Sequence, residues 1–257
     1  MTSAPKASTL TDPADPSDPT GSTDRAGIDA RAGLQAVLWD FDGTLADSEH
    51  LWIESEYEVI GELGGTWSDE HAKHLVGNAL IDSGRYIVKT IGREGDVDPG
   101  WLMDQLTARV TAKLESGTIP WRPGALELLA DLNAAGVRCA LVSASYRTML
   151  DAVVRRLPEG SFDSVVAGDE VRVGKPDPEP YLKAARQLGV DPARCVVLED
   201  SNPGSASGNA AGALVLAIHN MVEISAAPRR IQLTTLEGLD TARLAALLVE
   251  HPPEPAS

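Results

Sequence analysis

The chain has 257 residues, 43% of them hydrophobic, enough to bury a substantial core and leave room for a second small domain. Its 22 Lys and Arg stand against 38 Asp and Glu, a formal charge of -16 that repels nucleic acid and anionic lipid over most of the surface. Neither is an expected partner, and no segment approaches the roughly 18 to 20 apolar residues needed to cross a membrane.

Residues 1–32 are rich in Pro, Asp, Ser and Thr and carry no apolar run of signal length, so a disordered tail is expected there. Organised chain begins at about Leu34, where LQAVLWD has the apolar run of a central parallel strand. From about Ser48 to Thr118 the pattern is helical without a convincing buried strand, which predicts an inserted α-helical cap over residues 48–118. The turn-favouring stretches Ala46 to Glu49 and Ser116 to Pro123 are its candidate hinges.

Further strands are predicted at Gly136 to Ser143, Phe162 to Ala167, Arg194 to Glu199 and Ala213 to Ile218. Helical patterns near 124–135, 145–157, 178–188 and 203–211 lie between them. This alternation predicts a doubly wound, Rossmann-like α/β core with a parallel sheet, over residues 33–47 and 119–250, and a C-terminal tail at 251–257. Gly136, Gly189 and Gly212 each follow a helical stretch and suit C-terminal caps. Cys139 and Cys195 sit in apolar strands without CxxC spacing, so they read as free core thiols in a reduced, cytoplasmic compartment.

In an open parallel sheet, ligands bind beyond the carboxyl ends of the strands. The first strand ends in Asp40-Phe41-Asp42-Gly43-Thr44, whose two carboxylates at i and i+2 point to one side while Gly43 lets the chain turn away. A lone pair of this kind also suits the capping of a following helix. The second strand leads to Ser143, Ala144 and Ser145, hydroxyls at the same edge but also the usual helix N-cap residue. Lys175 follows the third strand between Gly174 and Pro176, where a surface lysine is the competing reading. The fourth ends in Glu199 and Asp200, acids that repel Asp40 and Asp42 unless a hard divalent cation lies among them.

With these four motifs in this order, the sequence resembles the haloacid dehalogenase superfamily. The resemblance is to its branch with an α-helical cap, close to β-phosphoglucomutases and sugar-phosphate phosphatases. The strings WDFDGTLADSE, LVSAS, GKPDPEPYLKAA and LEDSNPGSASGNAAGA carry it, across roughly residues 34–220. The resemblance implies that Asp40 is the nucleophile and forms an aspartyl phosphate, and that Asp42 is acid and base in turn. It further implies that Mg2+ is held by Asp40, the backbone carbonyl of Asp42 and Asp200, with Glu199 acting through bound water. Ser143 and Lys175 would hold the phosphoryl oxygens.

The expected activity is phosphatase action on a small phosphorylated metabolite, a sugar or polyol phosphate, by a monomer or weak homodimer. A phosphosugar mutase is the rival. Against it, Leu75-Val76-Gly77-Asn78-Ala79-Leu80 has no cation where the mutase presents a lysine and an arginine, and Trp52 stands in place of its histidine. Lys73 and Lys89 fit no phosphonatase pattern. A phospho-aspartate signalling domain or a silent binding protein is disfavoured by Asp42, by the cap and by the complete catalytic set. Trp52, Gly77, Asn78, Ala144, Ser145 and Arg147 are the substrate-contact candidates. Arg147 is open to a second role in stabilising the following helix. His71 and His74 read as a solvated helix face, not a zinc site.

Overall fold

The structure, a computed structural model, describes Met1 and residues 33–253; the expectations for residues 2–32 and 254–257 lie outside the described residues. Six strands are described: β1 (Ala36–Trp39), β2 (Arg138–Val142), β3 (Ser164–Val166), β4 (Cys195–Glu199), β5 (Leu214–Ile218) and β6 (Arg230–Leu233). They form one parallel sheet in the order β3-β2-β1-β4-β5-β6. The order runs outward in both directions from β1, so the chain reverses its winding between β1 and β4. A crevice opens at such a switch point. Trp39 lies opposite Leu141 on one side and Leu198 on the other, so Asp40, Ser143 and Glu199 emerge at the same edge.

Burial explains the strands. All four residues of β1 and all five of β4 and β5 are buried, the continuous apolar reading of a sheet covered on both faces. Helices α5 (Ala125–Ala134), α6 (Arg147–Val154), α7 (Glu179–Leu188) and α8 (Asn202–Ala210) cover the sheet between strands. Gly189 ends α7 at φ 66°, a left-handed turn that glycine adopts without a steric penalty. Strand β6 and the final helix, α9 (Thr241–Glu250), extend the core beyond the elements expected from the sequence. The β6 segment RIQL is half-exposed at the sheet edge and shows no buried apolar run. Helix α9 buries Leu244, Leu247 and Leu248 and is capped by Asp240, which accepts from the Arg243 N–H at 2.7 Å.

Between β1 and β2 the chain forms α1 (Glu49–Glu62), α2 (Asp69–Lys73), α3 (Leu80–Thr90) and α4 (Pro99–Ser116). Asp98 caps α4 through the Trp101 N–H at 2.9 Å, with Pro99 in the first turn. These helices bury Ile60, Ile87, Leu102, Met103, Leu106 and Val110, and α4 also packs on α6 of the sheet layer. The two connections to this helical unit lie side by side: Asp47 N–H donates to Pro120 O at 2.7 Å and Arg122 N–H to Leu45 O at 3.0 Å. Cys139 and Cys195 are free and buried.

Candidate active site

Asp40 leaves the end of β1 nearly buried, and its carboxylate meets Lys175. The Lys175 ammonium donates at 2.6 Å to Asp40 Oδ1, at 2.6 Å to Glu199 Oε1 and at 3.0 Å to the Val142 carbonyl. Glu199 Oε1 also accepts from Tyr181 at 2.7 Å, and Oε2 accepts from the Ser201 hydroxyl at 2.9 Å and N–H at 3.3 Å. Asp200 accepts from Thr44 at 3.3 Å and Asn220 at 3.0 Å. Gly43 turns the chain at φ +84°, and a Cβ there would collide with the Asp200 carboxylate, so this position needs glycine twice over.

The electrostatics follow from the burial. Desolvation holds the Asp40 carboxyl well above the usual carboxylate range against the opposing pull of Lys175, with Glu199 and Asp200 adding to the rise. Asp200 is raised too, by burial and then by Glu199 and Glu49. Burial alone would lower the Lys175 ammonium; Asp40 and Glu199 more than offset it and hold the group firmly charged.

Asp42 is held differently. Its Oδ1 accepts from the Ser48 hydroxyl at 2.6 Å and the Trp52 indole N–H at 2.8 Å, and its Oδ2 accepts from the Ser145 hydroxyl at 2.6 Å. Ser143 lies 3.5 Å from the same Oδ2, too far to contribute much, and accepts instead from the Ser145 N–H at 3.0 Å. A serine hydroxyl can rotate to donate or to accept, while the indole can only donate.

The family model for haloacid dehalogenase-like hydrolases matches residues 37–218. The chain belongs to this family. Protein CbbY of Rhodobacter capsulatus is 33% identical over 194 residues, covering 71% of this chain and 84% of that protein. Hexitol phosphatase B of Escherichia coli (strain K12) is 33% identical over 182 residues, 69% of this chain and 80% of its own length. A variant of CbbY from Rhodobacter sphaeroides, solved in complex with xylulose-(1,5)bisphosphate, superposes with a TM-score of 0.71 at 28% identity, covering 81% of this chain and 98% of that one.

In this haloacid dehalogenase-like hydrolase, one cavity between sheet and helical unit is lined by Asp40, Asp42, Ser143 and Lys175, with Trp52, Gly77, Asn78, Ala144 and Ser145 also on its walls. Trp52 neither stacks in the open nor packs idly: it holds Asp42. Gly77 approaches Ser201 so closely that a Cβ would collide with it, which brings the helical unit onto the sheet layer. Asn78 donates to His74 O at 2.8 Å. Arg147 is the departure: its guanidinium donates to Glu170 at 2.8 and 2.9 Å and to Val165 O at 3.1 Å, and it does not line the cavity. Lys73 and Lys89 are exposed; His74 stacks on Tyr86 with ring centroids 4.4 Å apart.

Several site residues escaped the sequence reading. Thr44, Ser48, Tyr181 and Asn220 act through contacts made only on folding; Thr44, Ser48 and Tyr181 do lie inside the family-like strings. Glu49 and Glu56 also line the cavity.

A divalent cation fits this centre. Asp40, Glu199 and Asp200 are buried and each brings a carboxylate oxygen within 4.8 Å of the others, with one ammonium to answer three acids. An all-oxygen set of this charge suits a hard cation such as Mg2+. Both Glu199 oxygens already accept two hydrogen bonds each, so Asp40 and Asp200 are the carboxylates left to ligate directly.

Proposed function

We propose that this protein is a magnesium-dependent phosphatase that hydrolyses a small sugar or polyol phosphate through an aspartyl phosphate on Asp40. The observation that carries the reading is the pairing of two differently held carboxylates on one cavity. Asp40 is fixed by Lys175 at 2.6 Å, and Asp42 is fixed by Ser48, Trp52 and Ser145. An Asp40 oxygen attacks phosphorus and the bond from phosphorus to the substrate oxygen breaks. That oxygen takes the proton carried by Asp42. Asp42 then takes a proton from water as the water oxygen attacks the same phosphorus. The bond to Asp40 breaks, leaving inorganic phosphate and the original carboxylate.

In the same reading, Asp40, the Asp42 backbone carbonyl and Asp200 hold Mg2+, with Glu199 as support. The ion supplies charge neutralisation for the phosphoryl group. Ser143 and Lys175 face the phosphoryl oxygens, and Lys175 also keeps Asp40 oriented. Hydrolysis fits the cavity better than a mutase reaction. A bisphosphate intermediate needs a cation at its far end, and among the described residues Lys175 is the one Lys or Arg that lines the cavity. The phosphatase names of relatives agree with this reading, and the buried free thiols agree with a cytoplasmic setting. Among the described residues, no helix is long and apolar enough to cross a membrane.

The test is phosphate release from a panel of sugar and polyol phosphates, with and without Mg2+, in the parent and in Asp40→Asn. Magnesium-dependent release that disappears in the variant is expected. Release that survives Asp40→Asn removes the nucleophile assignment, and interconversion of glucose phosphates without release favours the mutase.

A further inference from the structure

We propose that the wall which α1 gives to this cavity is a hydroxyl-reading subsite built on Glu49 and Glu56. It admits an uncharged polyol chain and rejects a substrate with a second anionic group. The inference rests on the phosphatase reading and narrows its substrate class.

The first observation is Glu49. It opens α1, is 9% exposed and lines the same cavity as Asp40 and Asp42. Among the described residues, no hydrogen bond or ion pair reaches its carboxylate. A carboxyl group buried nine-tenths without a partner carries a desolvation cost that a ligand inside the cavity can relieve. The second observation is Glu56, seven residues on and so on the same face of the helix, 4% exposed and also lining the cavity. Its Oε2 accepts from the Trp67 indole at 2.8 Å, and its Oε1 is bound by no described residue. Ser83, buried on α3, adds a hydroxyl to the same wall.

The chemistry of these groups selects the ligand. A carboxylate accepts and a carboxylic acid donates, so a group that satisfies both forms must do both. A hydroxyl does. A phosphate or carboxylate offers only acceptors and meets repulsion whenever either glutamate is ionised. Burial raises both glutamates above the usual carboxylate range and pushes Glu56 up to about 7, so both forms of Glu56 are accessible near neutrality. Among the described residues, no lysine or arginine other than Lys175 lines the cavity, and Lys175 is already committed to Asp40, Val142 and Glu199. A second anion therefore has no counter-charge.

The experiment compares kcat/KM, with Mg2+, for sorbitol 6-phosphate and 6-phosphogluconate, which share a six-carbon hydroxylated chain and differ in a terminal CH2OH or carboxylate. p-Nitrophenyl phosphate serves as a substrate without a polyol. The expected result is a preference of about tenfold or more for sorbitol 6-phosphate. In Glu49→Met, the ratio of sorbitol 6-phosphate to p-nitrophenyl phosphate activity falls by about tenfold, chiefly through KM, and Glu49→Gln restores most of it. Equal or better use of 6-phosphogluconate by the parent overturns the subsite, as does an unchanged ratio in Glu49→Met. The parent comparison decides the matter alone if Glu49→Met does not fold. No release from any of the three by the parent overturns the phosphatase reading itself, and release from p-nitrophenyl phosphate separates the two failures.

Discussion

Replacing Glu56 with Gln tests the electrostatics of the cavity without touching the reacting carboxylates. Glu56 has an ordinary value of 4.5 and is pushed up to about 7 by burial, against a smaller opposing effect of the Trp67 hydrogen bond. The folded state therefore holds this proton more tightly than the unfolded chain does. The stability that comes from the protonated group is complete below pH 4.5 and is lost as pH rises through about 7. At about 1.4 kcal/mol per pH unit, the gap between the two values makes ionised Glu56 cost about 3 kcal/mol at pH 8. Gln keeps an oxygen for the Trp67 indole and carries no charge, so Glu56→Gln should exceed the parent in stability by up to about 3 kcal/mol at pH 8 and match it at pH 4.5. Urea denaturation of both proteins without metal at several pH values measures this. Parallel stability curves for parent and variant would refute the reasoning.

Lys175→Met leaves Asp40 and Glu199 facing each other in a buried site, and breaking such a pair costs about 3 to 5 kcal/mol, read as a fall in urea midpoint. Trp52→Phe removes the one donor on Asp42 that cannot reverse, and the loss of orientation should lower kcat by about tenfold with a smaller change in KM; an unchanged kcat would leave the indole a packing role. Magnesium at about 100 times its Kd should stabilise the parent by about 2.7 kcal/mol, visible as a rise in Tm. Asp200→Asn should abolish that rise and, because burial already disfavours the ionised carboxyl, should not lower the Tm of the metal-free protein.

Sequence legibility followed the range of the forces involved. The buried strands announced themselves as apolar runs because both faces of the sheet are covered, and Asp40, Asp42, Lys175 and Asp200 stand at the edge where those runs end. Strand β6 escaped because an edge strand with Arg230 and Gln232 carries no such signal. Around Asp42 the limit was geometric. Ser48, Trp52 and Ser145 converge from six to 103 residues away in sequence, and nothing in their spacing states which side chain reaches which oxygen. Glu49 and Glu56 went unnoticed for another reason: EHLWIESEYEVIGE carries five glutamates, and nothing in their spacing states which two the helix turns inward onto the cavity. Arg147 stayed open in the sequence between the substrate and the following helix, because its partner Glu170 lies 23 residues on and meets it only in the fold.

The acidity of this cavity looks opposed to binding a phosphate, and the resolution lies in how the charge is divided. On the sheet side, Lys175 and the cation proposed for Asp40 and Asp200 offer positive charge, and Ser143 and Ser145 offer hydroxyl donors. On the helical side, Glu49 and Glu56 offer carboxyl groups whose neutral forms burial favours. A phosphorylated polyol placed with its phosphate toward Asp40 meets both ends correctly; the reversed molecule sets its dianion against two glutamates with no counter-charge. Where a glutamate is ionised, each unit of like charge brought to roughly 4 Å from it costs about 4 kcal/mol at an effective dielectric constant of about 20, which favours one orientation. The glutamates that narrow the substrate would then also aim its phosphorus at the nucleophile, and this couples specificity to catalysis through charge placement rather than through shape alone.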